Sequence, residues 1–103
     1  MTKQTRKHHS PQFKLDTASL VLDQGYTYSK AAESMGVDFS SIRRWVKQLK
    51  DERAGHTPSG KALTAEQQEI QALKARVAEL EMEKAILKKA SALLLSDGWK
   101  SGR

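Results

Sequence analysis

The stretch YSKAAESMGVDFSSIRRWVK, residues 28–47, decides the fold of the first half of this chain. Small and apolar residues recur at helical spacing before Gly36, and this glycine can adopt the positive φ that a sharp turn between helices requires. Asp38 then stands at a favourable N-cap position, so a second helix should begin at Phe39. The pattern therefore predicts two short helices joined by a tight turn, with residues 39–50 as the second helix.

The second helix should have one apolar face. Ile42, Trp45 and Leu49 recur at the spacing of one side of a helix, and we expect them to point into a hydrophobic core. A small residue before the glycine and an apolar residue after it complete the pattern of a helix-turn-helix. The predicted core of this motif consists of Ala32, Gly36, Val37, Ile42 and Trp45.

The opposite face of the same helix carries hydroxyl and cationic side chains, and no acid occurs between Asp38 and Asp51. An exposed basic helix after a tight turn is typical of a helix that reads DNA in the major groove. The candidate DNA-binding residues are Ser40, Ser41, Arg43, Arg44 and Lys47. A plain helical hairpin with solvated arginines is the alternative that this pattern leaves open.

Composition favours a nucleic-acid partner. The 103 residues include 18 Lys or Arg and 12 Asp or Glu, a net charge of +6, which suits double-stranded DNA. There is no cysteine, and the three histidines do not form a convincing metal site, so neither a metal nor a cofactor is expected. No apolar run approaches the length of a membrane span, so we expect a soluble, cytoplasmic protein.

Local signals predict the boundaries of the first domain. Residues 1–9 are basic and are expected to form a disordered arm, which either contacts phosphates or is simply solvated. Ser10 and Pro11 suit the N-cap and first position of a helix that stops near Gly25, which gives a three-helix domain over residues 10–53. Residues 54–63 are rich in Gly, Pro and Ser and are expected to be a flexible linker.

A heptad repeat organises the second half. Thr64 is the expected N-cap, with Gln67 completing a capping box, and the helix should run over residues 64–96 and leave 97–103 as a tail. Leucines recur every seven residues at d positions, which is typical of a leucine zipper. The predicted dimerisation residues are Ile70, Leu73, Val77, Leu80, Lys84, Leu87 and Leu94.

Charges beside the heptad predict how two such helices pair. In a parallel pair each g residue faces an e residue five positions later on the other chain, and these pairs have opposite sign. They are Glu69–Lys74, Arg76–Glu81 and Glu83–Lys88. The pattern favours a parallel homodimer, whereas the alternative is one amphipathic helix folded back on the domain.

Two segments, WVKQLKDE and ILKKASALL, resemble the small upstream reading-frame (orfA-type) proteins of insertion-sequence transposases, and the likeness covers about residues 10–95. The resemblance implies a helix-turn-helix and a leucine zipper in a bacterial protein that acts on nucleoid-associated DNA. It implies a catalytic integrase-like partner, either a separate subunit or a domain fused by translational frameshifting. By resemblance, the zipper would join monomers, and the residues that help to read terminal inverted repeats would be Ser40, Arg43, Arg44 and Lys47.

The sequence thus predicts an all-α chain: a three-helix helix-turn-helix domain, a flexible linker and a long coiled-coil helix. It offers no strands to hold the converging carboxylates of a two-metal phosphoryl-transfer site, so we expect no catalysis by this chain alone. The favoured function is a DNA-binding, dimerising component of a transposase in DNA transposition. The alternatives are a free-standing helix-turn-helix repressor and a coiled-coil adaptor that does not bind nucleic acid.

Overall fold

The computed structural model describes residues 8–101, and their side chains as far as residue 96. It contains the helices α1 (Pro11–Leu22), α2 (Tyr28–Met35), α3 (Phe39–Arg53) and α4 (Ala65–Ser101). No strand occurs within the described residues, so the predicted all-α class is confirmed. The chain divides into two compact units, Met1–Gln71 and Ala72–Arg103.

Side chains cap the first three helices at their N-termini. The Ser10 hydroxyl accepts a hydrogen bond from the Phe13 amide at 3.1 Å, and Thr27 caps α2 in the same way. An Asp38 carboxylate oxygen accepts from the Ser41 amide at 3.2 Å. Each cap satisfies an amide that has no partner inside its own helix. The predicted caps at Ser10 and Asp38 are confirmed.

The turn between α2 and α3 depends on Gly36. Its φ of 69° lies in the left-handed region, where a β-carbon would be unfavourable. The amides of Gly36 and Val37 both donate to the carbonyl of Ala32, at 2.9 and 3.1 Å, and so close the last turn of α2. The tight turn of the predicted helix-turn-helix is therefore present.

Helix α3 packs on both α1 and α2. Ile42, Trp45 and Leu49 are at most 4% exposed, as predicted, and Val46 is buried beside them. Of the other predicted core residues, Ala32 and Val37 are half-buried, whereas Gly36 is exposed and contributes its backbone conformation. The buried hydrophobic cluster consists of Ala18, Ala31, Ile42, Trp45, Val46, Leu49 and Leu63.

The segment between α3 and α4 is ordered against the domain. Ala62 and Leu63 are 1% and 2% exposed, and Leu63 belongs to the core cluster. The expectation of a flexible linker over residues 54–63 is therefore wrong. The first compact unit also extends to Gln71, well beyond the predicted boundary at residue 53. Composition misled the prediction because the Gly, Pro and Ser residues precede two apolar residues that add to the core.

The buried carboxylate of Glu52 holds this segment in place. Glu52 is 2% exposed and accepts hydrogen bonds from the Leu63 amide at 2.8 and 3.0 Å, from the Thr64 amide at 2.8 Å and from Gln48 Nε2 at 2.7 Å. Burial raises the pKa of Glu52, but the hydrogen bonds from Gln48, Thr64 and Leu63 outweigh it, and the pKa is lowered overall. These donors replace the water that the carboxylate loses on burial.

The start of α4 differs from the predicted capping box. The Thr64 hydroxyl accepts from the Gln67 amide at 3.2 Å, so the N-cap itself is confirmed. The Gln67 side chain does not reach back to Thr64; it is buried and accepts from the Thr57 hydroxyl at 2.7 Å. The Thr64 amide is instead bound by Glu52. The amide that the Gln67 side chain was predicted to bind thus has a carboxylate of α3 as its partner.

Two further glutamines bind the carbonyls of the same segment. Gln71 Nε2 donates to the carbonyl of Pro58 at 3.0 Å and to that of Gly60 at 2.7 Å. Gln68 Nε2 donates to the carbonyl of Ala62 at 3.0 Å. Backbone groups of the segment therefore have side-chain partners in the first two turns of α4.

In the second unit, α4 continues to Ser101. The prediction that the helix ends near Ser96 is wrong, because its backbone passes through Asp97 and Gly98. Both residues have low helix propensity, but each keeps the backbone N–H that a helix needs. Residues 1–7 of the predicted basic arm, and residues 102 and 103 of the predicted tail, lie outside the described residues.

Glu52→Gln should destabilise the first unit by about 1–3 kcal/mol, because a neutral amide cannot accept all the hydrogen bonds that the buried carboxylate accepts. Since folding lowers the pKa of Glu52, its contribution is fully present above the ordinary value of 4.5 and is lost as pH falls through the folded-state pKa. The stability difference between wild type and variant should shrink in acid. Urea unfolding followed by circular dichroism, at one fixed protein concentration, measures the free energy of unfolding of both proteins.

The matched control is Glu33→Gln, which removes a carboxylate from an exposed position of α2. It should change the free energy of unfolding by less than about 0.5 kcal/mol. Equal effects of the two substitutions at neutral pH would contradict the structural role given to Glu52.

Candidate nucleic-acid interface

The outward face of α3 is the candidate interface with DNA. Ser40, Arg43, Arg44 and Lys47 are all exposed, whereas the opposite face of the helix is buried. Lys50 is exposed on the same face, three residues after Lys47. The helical period of 3.6 residues separates the cationic side chains from the core, so each can reach solvent without disturbing the fold.

Ser41 does not belong to this exposed set. It is 9% exposed, and its hydroxyl donates to Asp38 Oδ1 at 2.7 Å and accepts from Arg44 Nη2 at 3.3 Å. Ser41 is thus the least exposed of the predicted DNA-binding residues, and it sits at the buried edge of α3. The sequence signal was available, because Ser41 lies one turn before Trp45 on the inner side of the helix.

The carboxylate of Asp38 is the acid at the start of this face. Ser40 Oγ donates to Asp38 Oδ2 at 2.5 Å, in addition to the contacts from Ser41. The hydrogen bonds from Ser40 and Ser41 hold the pKa of Asp38 well below its usual range. Asp38 thus stays ionised, with its oxygens occupied by donors of the same helix.

Among the side chains that the structure describes, Lys47 has an acidic partner, whereas the two arginines have none. Lys47 Nζ lies 3.2 Å from Asp51 Oδ2, in an exposed pair of a kind worth at most about 1 kcal/mol. Within residues 8–101, neither Arg43 nor Arg44 forms a salt bridge with an acidic side chain. Their guanidinium groups are therefore available to an external acceptor such as a phosphate or a guanine edge.

Surface depressions flank both sides of α3. A groove of about 300 Å³ towards α2 is lined by Tyr28, Arg43, Lys47 and Lys50 among others. A cleft of about 410 Å³ towards the start of α1 is lined by Lys14, Arg44 and Trp45 among others. Neither Lys14 nor Lys50 is among the predicted DNA-binding residues. The spacing of Lys50 from Lys47 could have revealed it, whereas only the packing of α1 on α3 brings Lys14 near Arg44.

The predicted dimerisation residues form an exposed stripe on α4 of the single chain. Leu73, Val77, Leu80, Leu87 and Leu94 are between 45% and 70% exposed. Lys84 is exposed as well, and Ile70 is half-buried. Such a row of large apolar side chains at heptad spacing is typical of a helix that buries them against a partner.

One flanking charge of the heptad already has an intrahelical partner. Arg76 Nη1 lies 2.7 Å from Glu79 Oε1, both side chains being more than half exposed. An exposed contact of this kind is weak and exchangeable, so it does not prevent Arg76 from pairing elsewhere.

The described residues show neither a metal-binding cluster nor a membrane-spanning helix. Residues 8–101 contain no group of three or more His, Asp or Glu side chains placed to hold a metal ion. No helix in the described part of the chain is both long and apolar enough to cross a membrane.

The family described as "Transposase" (HTH_Tnp_1) matches residues 3–78, which include all of α1, α2 and α3. The chain belongs to this transposase family. The resemblance to the small proteins of insertion sequences is thereby confirmed, and the cationic face of α3 becomes the candidate DNA-binding surface of a transposase-family protein.

Two relatives come from Escherichia coli (strain K12). One, named "Putative transposase InsN for insertion sequence element IS911A", is 48% identical over 86 residues, which make up 84% of this chain and 64% of that protein. The other, named "Putative transposase InsN for insertion sequence element IS911B", is 46% identical over 84 residues, or 82% of this chain and 96% of that protein. This transposase-family chain thus spans just under two thirds of the first relative. No solved structure matches it.

Ser41→Ala should destabilise the first unit by about 0.5–1.5 kcal/mol, because the hydroxyl that links Asp38 to Arg44 is buried. Ser40→Ala is the matched control: it also removes a hydroxyl that contacts Asp38, but from an exposed position. Urea unfolding of both variants at one protein concentration compares them. A larger loss for Ser40→Ala would show that Ser41 is not the structural member of the pair.

Proposed function

We propose that this chain is the sequence-specific DNA-binding and dimerising component of an insertion-element transposase, and that it recognises the element's terminal inverted repeats. The observation that carries the proposal is the division of α3: its inner face is buried, and its outer face presents Arg43, Arg44 and Lys47 to solvent. Membership of the transposase family supports the class of function, and the geometry of α3 supports its role as the reading helix.

The dimensions and chemistry of α3 suit the major groove. The groove is about 12 Å wide and admits one α-helix with its side chains. An arginine can donate two hydrogen bonds to the O6 and N7 acceptors of a guanine, whereas a lysine provides a more mobile point charge. Arg43 and Arg44 are therefore the proposed base readers, and Lys47 is a proposed phosphate contact.

The exposed stripe of α4 supports dimerisation as the second part of the proposal. Ile70 and Val77 at a positions, with leucine at each d position, favour a two-stranded coiled coil. Lys84 at an a position opposes higher oligomers, because in a dimer its ammonium group can extend past the edge of the interface into water. A parallel pairing places all three flanking charge pairs in register, whereas an antiparallel one centred near Val77 would set Glu69 against Glu83.

The chemical step of transposition is assigned to a partner. The acidic side chains of residues 8–96 cap a helix, bind the segment after α3, pair with Arg53 or lie exposed on helices, and no group of them is placed to hold a metal ion. The proposal therefore includes an integrase-like catalytic subunit, either separate or joined to this chain by frameshifting.

A free-standing repressor remains the second candidate function, because the same exposed α3 and the same dimer would serve it. The two functions differ in which DNA carries the specific site. A transposase component should prefer both ends of a mobile element, whereas a repressor should prefer a single promoter-proximal operator.

Arg43→Ala and Arg44→Ala should each weaken binding to a terminal-repeat duplex, and at least one should relax base preference at one position. A bidentate arginine–guanine contact is worth about 1–3 kcal/mol of discrimination. Lys47→Ala should weaken all duplexes alike and make the salt dependence shallower. Fluorescence anisotropy with specific and scrambled duplexes at several salt concentrations separates the two behaviours.

The control for the arginines is Lys89→Ala, which removes an exposed charge from α4 at an f position of the heptad. It should leave base preference unchanged. Wild-type affinity and specificity in a folded Arg43→Ala/Arg44→Ala double variant would exclude α3 as the reader.

Single cysteines should report the direction of the zipper, because the chain has no cysteine of its own. Glu66→Cys and Leu94→Cys both place a thiol at a d position near one end of the heptad. In a parallel dimer each variant should form disulfide-linked dimers by itself on mild oxidation, since equivalent d residues face each other. Non-reducing electrophoresis measures the yield.

Lys89→Cys is the control, because an f position faces away from the partner helix. Crosslinking only in a mixture of the Glu66→Cys and Leu94→Cys proteins would establish an antiparallel pair. Homogeneous trimers in analytical ultracentrifugation would contradict the dimer.

A further inference from the structure

The cleft between α1 and α3 has the construction of an anion-binding site. Its volume is about 410 Å³, and its lining includes His8, His9, Lys14, Asp38, Arg44 and Trp45. The walls come from four parts of the chain: the residues just before α1, the first turns of α1, the turn between α2 and α3, and the N-terminal half of α3.

A buried aromatic ring fixes the positions of the groups on the α1 side. Trp45 is 4% exposed, and Lys14 Nζ lies 5.9 Å from its ring centroid, within the range of a cation–π contact. The His9 ring stacks on Phe13 at 4.7 Å and meets Trp45 edge-on at 5.3 Å. Lys14 and His9 are therefore held at the wall of the cleft by packing against the core.

The cleft is rich in hydrogen-bond donors. Lys14 and Arg44 provide two cations, and His8 and His9 each carry at least one ring N–H. Asp38 is the one carboxylate in the lining, and its oxygens already accept hydrogen bonds from Ser40 and Ser41. The Asp38 charge reduces the positive potential of the cleft, but the lining still carries two cations against one carboxylate.

The exposed side of α3 that carries Arg43, Arg44 and Lys47 is the proposed reading face. Arg44 connects the cleft to this face, because it lies both on the cleft wall and on the exposed side of α3. When an α-helix lies in the major groove, the sugar–phosphate backbones pass along its two flanks. Half to two-thirds of protein–DNA hydrogen bonds go to phosphate and sugar, and they set the orientation of the protein on the duplex.

We propose that the cleft binds one backbone phosphate of the DNA, with Lys14 and His9 as the donors from the α1 side. This inference rests on the proposed function and adds to it a positioning site outside the reading face. The bound phosphate fixes the depth and angle of α3 in the groove. Lys14 therefore contributes affinity without contributing base preference.

The test is Lys14→Gln in the full-length chain, with binding measured on a terminal-repeat duplex and on a scrambled duplex over a range of salt concentrations. We expect affinity to fall about three- to tenfold on both duplexes, and the slope of log K against log salt to become shallower by about one. Lys14→Arg should restore most of the affinity, and Lys89→Gln should change neither quantity. Thermal melts confirm that each variant is folded, and Lys14→Met, which keeps an unbranched side chain of similar length, replaces Lys14→Gln if that variant does not fold.

A neutral methylphosphonate placed at one backbone position at a time identifies the phosphate. At one position the modification should weaken wild type but leave Lys14→Gln unaffected. Unchanged affinity and salt slope in Lys14→Gln, together with weakened binding by Arg43→Ala and Arg44→Ala, would overturn the phosphate site and leave the proposed function standing. Unchanged binding in all three variants would overturn the proposed function itself. A change of base preference in Lys14→Gln would show that Lys14 contacts a base, and this would overturn its assignment to a backbone phosphate.

Discussion

Packing of the Trp45 ring against α1 is the contact on which the first unit depends. The ring meets Phe13 edge-on at 6.0 Å and is almost completely buried. A large planar side chain in a close-packed interior permits little rotation of the helix that carries it. Because Trp45 fixes α3 about its own axis, it also fixes which side chains face solvent, and the cationic face follows from an apolar contact on the other side.

Helix α3 therefore contributes one side to the core and the opposite side to the candidate interface. Alternation at the helical period places Ile42, Trp45 and Leu49 on one side and the arginines on the other. At the helix start, Asp38 caps α3 and also occupies the hydroxyls of Ser40 and Ser41. The carboxylate at the start of the basic surface thereby has a structural role.

The ordered segment after α3 enlarges the domain beyond a minimal three-helix unit. The Glu52 carboxylate binds two successive amides at its end, and the glutamines at the start of α4 bind its carbonyls. In the heptad register Gln67, Gln68 and Gln71 fall at e, f and b positions, whereas the apolar stripe occupies a and d. The first turns of α4 can thus bind the segment after α3 through one face, while another face carries the first residues of the apolar stripe.

Local and periodic features were determined by the sequence itself. The caps at Ser10 and Asp38, the left-handed turn at Gly36 and the inward side of α3 depend on residues within one or two helical turns, so they could be predicted from spacing alone. The exposed heptad stripe was predictable for the same reason. These features include most of the candidate site, since Arg43, Arg44 and Lys47 follow from the period of one helix.

Contacts between residues distant in sequence were decided only by the tertiary structure. Nothing in the composition of residues 54–63 shows that Leu63 enters the core or that Glu52, eleven residues earlier, binds its amide. Neither does the sequence show that Lys14 and Arg44 line one cleft. The physical reason is the same in each case: a buried carboxylate or a shared cleft requires groups from separate helices, and their meeting depends on how those helices pack.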